Sequence, residues 1–153
     1  MKKVLLIAAM LLVCFTDSMA QDAPVKEWRI VTVVESIVPM GIGRSRIVEN
    51  LTEVNTADFT TARVDGRRSD QGSVRRRDLK VDRFDETKLL NFFSATGINF
   101  QNIASNDAMI GARIMELSAE GFELKFVTSG VESNGGVEDG EGIFITRMFF
   151  CQQ

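Results

Sequence analysis

One stretch, EWRIVTVVESIV at residues 27–38, constrains the fold more than any other part of the chain. Its side chains alternate between an even set, from Trp28 to Val34, and an odd set, from Arg29 to Glu35. More than half of the stretch is β-branched, and such residues in alternation are typical of a strand buried on at least one face. We therefore predict a β-strand here.

Further antiparallel strands are expected after this first one. Residues 44–64 are rich in Thr, Val and Ile, and they predict one or two strands. The next residues, VDGRRSDQGS, carry Asp-Gly and Gly-Ser turn signals, so we predict an exposed hairpin loop at 65–73. Residues 74–82 are then expected to be the returning strand.

The period of the apolar residues changes from two to about 3.6 after residue 84, which indicates helices. The first predicted helix begins at Asp85 as its N-cap, carries Leu89 and Phe92 at helical spacing, and ends at Gly97. The second begins near Asn106 or Asp107 and ends at Glu120, with Ile110, Ile114 and Leu117 as its buried stripe.

The C-terminal part predicts a β-hairpin. FELKFVTSG at 122–130 alternates as a strand does, the acidic and glycine-rich residues 130–142 form an exposed loop, and IFITRMFF at 143–150 is the last strand. The fold class that follows is α+β, an antiparallel sheet packed on about two α-helices. We expect a short leader at 21–26 and a single domain at 27–153.

The N-terminal residues have the three parts of a secretory signal. Lys2 and Lys3 precede an apolar run from Val4 to Phe15, and small residues near Ala20 predict a signal peptide at 1–20. The run is too short for a membrane-spanning helix, which needs roughly 20 residues. Cys14 resembles a lipid-attachment cysteine, but Val13 stands where a small residue is usual, so we expect no lipid. We predict export to the periplasm or the exterior of a Gram-negative bacterium.

The mature chain has few features that attract a particular class of ligand. Removing Lys2, Lys3 and Asp17 from 18 basic and 21 acidic residues leaves a net charge of about −4, which gives no general attraction to nucleic acid or anionic lipid. Cys151 is the single mature cysteine, so no intramolecular disulfide can form. It is either a buried hydrophobe or the source of an intermolecular bridge.

Residues 115–127, MELSAEGFELKFV, resemble a group of small uncharacterised bacterial domains. Their recurrent element is a helix ending in A-E-G-W-E-L, followed by a strand, a loop and a final strand that often carries an arginine. Phe122 replaces the usual tryptophan, Arg147 lies in the final strand, and the segment around Trp28 resembles the group's first strand. The resemblance implies a fold with Gly121 ending the helix and Phe122 anchored in the core, and it implies no catalytic residue.

The residue inventory excludes most enzyme chemistries. The chain has no histidine, so the commonest proton-transfer residue near neutral pH is missing, and Ser-His or Cys-His pairs cannot form. Zinc and copper sites of the usual type lack their ligands. We expect no enzyme activity and no cofactor, and a carboxylate-based hydrolase is the third hypothesis. The acidic loop offers oxygen ligands, but without EF-hand spacing we expect a solvated loop and no calcium; these residues are Glu132, Asn134, Glu138, Asp139 and Glu141.

Charge is concentrated in two regions of opposite sign. Residues 63–83 hold eight basic and four acidic side chains, whereas residues 116–141 hold seven acids and one lysine. Signs alternate along 76–82, so we expect no nucleic-acid binding. The candidate contact surface is Arg67, Arg68, Arg75, Arg76 and Arg77. We expect a non-catalytic exported domain whose sheet edge or hairpin loop contacts another protein or another copy; the alternative is binding of an anionic envelope ligand through these arginines.

Overall fold

A computed structural model of the protein describes residues 26–36, 44–94, 96–131 and 142–153. In these ranges the chain forms seven strands, one helix and two short 3-10 turns, Thr56–Phe59 and Gln71–Ser73. The strands and the helix are β1 (Trp28–Ser36), β2 (Arg46–Asn50), β3 (Phe84–Lys88), β4 (Phe93–Ser94), β5 (Gly97–Ile98), α1 (Phe100–Ala119), β6 (Phe122–Val131) and β7 (Ile143–Gln152). The predicted α+β class is confirmed. The predicted signal peptide and most of the leader lie outside the described residues.

Five strands form one antiparallel sheet in the order β3-β2-β1-β7-β6. The central strand is β1, as its dense β-branched pattern suggests, and Val33 lies opposite Ile47 of β2 and Thr146 of β7. The predicted C-terminal hairpin is confirmed because β6 pairs with β7 from Phe122 to Val131. β4 and β5 form a separate two-stranded ribbon.

The hydrophobic core lies on one face of the sheet, under α1. The odd set of β1 supplies Val31 and Val33, and Leu117 from α1 is fully buried against them. Ile110 and Ile114 pack on the same cluster, so the predicted helix stripe is confirmed. Ile47, Leu89, Phe122, Met148 and Phe150 complete the core. Each buried side chain of this size contributes about 1.5–3 kcal/mol relative to its exposed state.

The first predicted helix, from Asp85 to Gly97, is wrong. Its first residues form β3, in which Asp85 lies opposite Glu49 and Thr87 opposite Ile47. Leu89 continues this ladder by donating its N–H to the Ser45 carbonyl oxygen at 2.9 Å. Further along, the Phe92 N–H donates to the Ser36 carbonyl oxygen, and Phe93–Ser94 pairs with β5. These contacts and the pairing with β2 replace the hydrogen bonds that a helix would make within the segment.

The predicted returning strand at 74–82 is also wrong. Two turns occupy this stretch, closed by hydrogen bonds from Asp78 N–H to the Arg75 carbonyl oxygen and from Lys80 N–H to that of Arg77. β2 ends at Asn50 and β3 begins at Phe84, so residues 51–83 form one long connection in which no residue is buried. Residues 65–73 are exposed as predicted, but they belong to this connection and do not join two strands directly.

The helix α1 begins earlier than predicted and ends where predicted. Asn99 is its N-cap, with the side-chain oxygen accepting from the N–H groups of Gln101 and Asn102. The predicted start at Asn106 falls inside the helix, where that residue is buried. Gly121 follows the C-cap Glu120 with φ of 89°, a left-handed conformation that glycine adopts without strain. No helix in the described ranges has the length and apolarity needed to cross a membrane.

Candidate functional site

The five arginines of the predicted contact surface lie in the exposed connection 51–83. Arg75 and Arg77 both donate to the carboxylate of Asp78, at 2.8 and 3.3 Å. The other three, Arg67, Arg68 and Arg76, make no ion pair with a residue that the structure describes. The structure brings the five into one connection, but none of its described hydrogen bonds links the first two to the last three.

The backbone of this connection is held by local polar contacts. One carboxylate oxygen of Asp65 accepts from the N–H groups of Arg67 and Arg68, at 2.9 and 3.0 Å. These backbone hydrogen bonds lower the pKa of Asp65. Gln71 reaches back to the hydroxyl of Thr61 at 2.7 Å. The arginine side chains are therefore presented by a turn-rich segment whose contacts are all at the surface.

A second candidate surface, which the sequence analysis did not identify, is the sheet face opposite α1. The residues that share it are every second residue of each strand, and no described element packs over them. We call it the open face; it contains Trp28, Ile30, Thr32, Val34, Val48, Phe84, Phe126, Thr128, Gly130, Ile145, Arg147 and Phe149, and on β2 and β3 also the polar residues Arg46, Asn50, Glu86 and Lys88. Trp28 is 53% exposed and Phe126 52%. An exposed apolar surface that spans several strands is typical of a binding site.

Three aromatic rings form the densest part of the open face. Phe126 of β6 stacks on Phe149 of β7, with ring centroids 4.2 Å apart and planes 20° apart. Trp28 of β1 lies 6.5 Å from Phe126 in a tilted arrangement. Such pairs are worth about 0.5–1.5 kcal/mol beyond their buried area, so each ring favours its orientation beside the next. The rings therefore present a preformed aromatic surface instead of separate mobile side chains.

Arg147 is a cation without an ion-pair partner among the described residues, and it lies near the middle of this face. Thr32 of β1 and Thr128 of β6 are directly opposite it on the two neighbouring strands. Glu86, a carboxylate on the same face of the sheet, already forms an ion pair with Arg46. Arg147, Thr128, Val34 and Ile145 line a shallow depression of about 520 Å³. The part of the open face formed by β1, β7 and the second half of β6 thus combines apolar area with one cation.

A larger groove of about 700 Å³ lies at the end of the sheet near Trp28 and includes three carboxylates. Glu49 accepts from Arg113 through both oxygens, at 2.6 and 2.8 Å, and Glu27 accepts from Arg29 at 3.1 Å. Only Glu53 of the three makes no ion pair with a described residue. A glycoside hydrolase uses two carboxylates that reach the substrate, and two of the three carboxylates here are held by arginines.

Glu35 has an unusual setting on the helix side of the sheet. It is half-buried, and burial raises the pKa of its carboxyl, with a further increase from the nearby charge of Asp107. A hydrogen bond from Asn106 Nδ2, at 3.1 Å, partly opposes this increase. Asn106 also donates to the Leu90 carbonyl oxygen and accepts from the Leu90 N–H, both at 2.8 Å. Both side-chain polar atoms of Asn106 are therefore hydrogen-bonded, and they join α1 to β1 and to the residue Leu90 that follows β3.

The three residues of the predicted structural motif occupy different environments. Phe122 is buried in the core, and the guanidinium of Arg29 lies 4.4 Å from the centre of its ring. Gly121 ends α1, and its carbonyl oxygen accepts from the N–H of Gln153 at 3.0 Å. Trp28 is on the open face. Cys151 is buried, as the first of its two predicted alternatives has it, and among the described residues it makes no disulfide.

No set of three or more Cys, Asp or Glu side chains converges in the described ranges as metal ligands would. The five predicted oxygen ligands of the acidic loop lie outside those ranges. Comparison of the chain with protein family models, with curated proteins and with solved structures finds no match. The resemblance to the bacterial domain group stays a prediction based on residues 119–124 and the strands around them.

Proposed function

We propose that this chain is an exported, non-catalytic domain that acts by binding another protein through its open face. The observation that carries the proposal is the aromatic surface of Trp28, Phe126 and Phe149 on a sheet face that no described element covers. Aromatic side chains in preformed clusters contribute most of the binding energy in many protein interfaces. The missing histidine and the engaged carboxylates of the large groove favour binding over catalysis.

The charge on the open face specifies the chemistry of the partner. Arg147 is flanked by two threonines and by apolar Val34 and Ile145, so a partner that covers this face removes water from the guanidinium. Burying an unpaired charge is costly, and a carboxylate at hydrogen-bonding distance offsets that cost. The expected partner surface is an apolar patch that contains one acidic side chain.

The proposal is tested by capturing proteins from the native envelope with the immobilised chain. We expect one partner to be retained by the wild type and lost by the double variant W28S/F126S and by R147E. The matched control is F100S, because Phe100 is an exposed aromatic residue on α1, away from the open face. Truncating one central aromatic residue costs about 2–4 kcal/mol of binding, about 30-fold or more in Kd. Equal retention by all four proteins would reject the open face as the binding surface.

A second candidate function is binding of an anionic envelope ligand through the connection 51–83. The observation that favours it is the exposure of Arg67, Arg68 and Arg76 without ion pairs in the described structure. We expect sedimentation with vesicles that contain phosphatidylglycerol, and no sedimentation with phosphatidylcholine alone. The triple variant R75Q/R76Q/R77Q should lose this binding. A triple variant of Arg44, Lys88 and Lys125 changes the net charge equally and should keep it; equal loss in both would show a non-specific charge effect.

A further inference from the structure

The two edges of the five-stranded sheet differ in how they are protected against pairing. The edge strand β3 has five residues, of which Asp85, Glu86 and Lys88 are charged. The opposite edge strand, β6, has ten residues, and its only charges are Glu123 and Lys125 near its start. Short length and charge prevent an edge strand from adding another strand. By this criterion β3 is a protected edge and β6 is not.

The second half of β6 is suited to accept another strand. The register of the β6–β7 pair shifts between Leu124 and Phe126, and from Phe126 to Val131 the pairing runs without interruption. This half, FVTSGV, contains no charge and no proline. Among the described residues β6 pairs with β7 alone, so the N–H and C=O groups on its outer side have no strand partner. An edge with these properties is a template for strand addition.

We propose that β6 pairs antiparallel with β6 of a second copy of this chain, which joins the two sheets into one continuous sheet of ten strands. The second copy is favoured because an isologous contact requires a segment that is complementary to itself. A neutral segment meets this requirement, since like charges directly opposite each other on neighbouring strands are destabilising. The inference concerns the strand edge and is independent of the open face as a binding surface.

The alternation of side chains limits the register of this contact. In a continuous sheet the two open faces lie on the same side, so open-face residues of β6 must oppose open-face residues of the second copy. With the two-fold axis at Thr128, this residue opposes itself and Phe126 opposes Gly130 of the second copy. Cross-strand threonine pairs are favourable, and an aromatic side chain can cover an edge glycine. Lys125 then opposes Val131 of the second copy, so no like charges lie directly opposite each other in this half of β6.

The first test is the mass of the intact protein in solution, measured by analytical ultracentrifugation. We expect a dimer for the wild type and for T128V, which keeps the β-branched shape of the side chain. T128K places two lysines opposite each other at the axis, so we expect a twofold lower mass with an unchanged circular dichroism spectrum. A monomeric wild type, or a dimer that T128K leaves intact, would overturn the proposal.

Cysteine cross-linking tests the register even if T128K does not fold. Directly opposed residues of antiparallel strands have Cα atoms about 4.5–5.5 Å apart, within the range that a disulfide spans. In a chain whose Cys14 and Cys151 are replaced by alanine, T128C should form a covalent dimer on mild oxidation. D85C, on the protected edge, should form no covalent dimer, although its unaltered β6 still pairs. Equal cross-linking of both, or of neither, contradicts the β6 contact. The two proposals can fail separately, because R147E changes no residue of β6: this variant should lose the protein partner and keep the mass of a dimer.

Discussion

Arg113 and Glu49 connect α1 to the sheet through two parallel hydrogen bonds. Both side chains are largely buried, with 21% and 14% of their surfaces exposed. Glu116 and Glu120 approach the same guanidinium, and this set of carboxylates raises the pKa of Arg113, with the Glu49 hydrogen bond as the largest cause. A bidentate pair of this kind orients the helix on the sheet, because its planar geometry tolerates little rotation.

Glu49→Gln should therefore destabilise the protein although it changes few atoms. The variant leaves Arg113 partly buried without its main partner, and such a loss typically costs about 1–3 kcal/mol. Chemical denaturation followed by circular dichroism measures this free energy of unfolding. Glu116→Gln is the control: Glu116 is 62% exposed, and its ion pair should contribute less than about 0.5 kcal/mol. Equal effects of the two substitutions would show that the Arg113–Glu49 pair stabilises the fold no more than an exposed ion pair does.

Glu35 should make stability depend on pH in the direction opposite to most carboxylates. Burial raises its pKa in the folded state, so the fold binds this proton more tightly than the unfolded chain does. At low pH both states are protonated and the residue has no effect; as pH rises through the ordinary carboxyl pKa towards the raised one, its ionisation weakens the fold.

The expected result is that Glu35→Gln gains stability relative to the wild type as pH rises from about 4 to 7. Glutamine keeps an oxygen that can accept from Asn106 and carries no charge to desolvate. Thermal melts of both proteins across this pH range measure the difference. A difference that stays constant with pH, or that shrinks as pH rises, would contradict the raised pKa.

At the scale of elements, secondary structure was predicted correctly where the apolar residues fit the period of a strand or the period of a helix but not both. The strand β1 is dense in β-branched residues, residues 122–126 of β6 alternate, and the stripe of Ile110, Ile114 and Leu117 fits a helix and no strand. Residues 84–98 fit both, because Leu89 and Phe92 can share one helix face or end a short strand. Pairing with β2 decides between them, and that partner is distant in sequence.

The start of α1 shows a related limit, since several asparagines between 99 and 106 are suitable caps. Asn99→Ala should cost about 1 kcal/mol of stability, because the N–H groups of Gln101 and Asn102 lose their acceptor. Asn99→Asp keeps an oxygen at the same place and should be close to neutral. Denaturation midpoints of the two variants provide the measurement. A larger loss for aspartate than for alanine would place the helix start elsewhere.

At the scale of the whole molecule, the arginines were predictable and the open face was not. A charge cluster is visible in composition alone, whereas the open face depends on how many helices cover the sheet. Two predicted helices would have left less of the sheet uncovered. Residues 85–97 instead contribute to β3 and to the β4–β5 ribbon. No described element therefore packs over the even-numbered residues of β1 or over their neighbours on β7.

The connection 51–83 contributes no buried residue, so the domain should fold without most of it. The Leu51 N–H donates to the Arg83 carbonyl oxygen at 3.2 Å, so the two ends of the connection already lie as close as the ends of a two-residue hairpin turn. We expect a variant in which Asn-Gly replaces residues 52–82 to keep the sheet. Its stability should equal that of the wild type or exceed it by up to about 2 kcal/mol, because a shorter loop costs less entropy to close.

Circular dichroism and urea denaturation of this shortened variant measure both properties. An unfolded variant would mean that the connection packs on the core. A folded variant also separates the two candidate surfaces, because it lacks all five arginines of the contact surface and keeps the open face. It should therefore still capture the protein partner and lose any binding to phosphatidylglycerol vesicles, whereas loss of partner capture would place the partner's binding site on the connection.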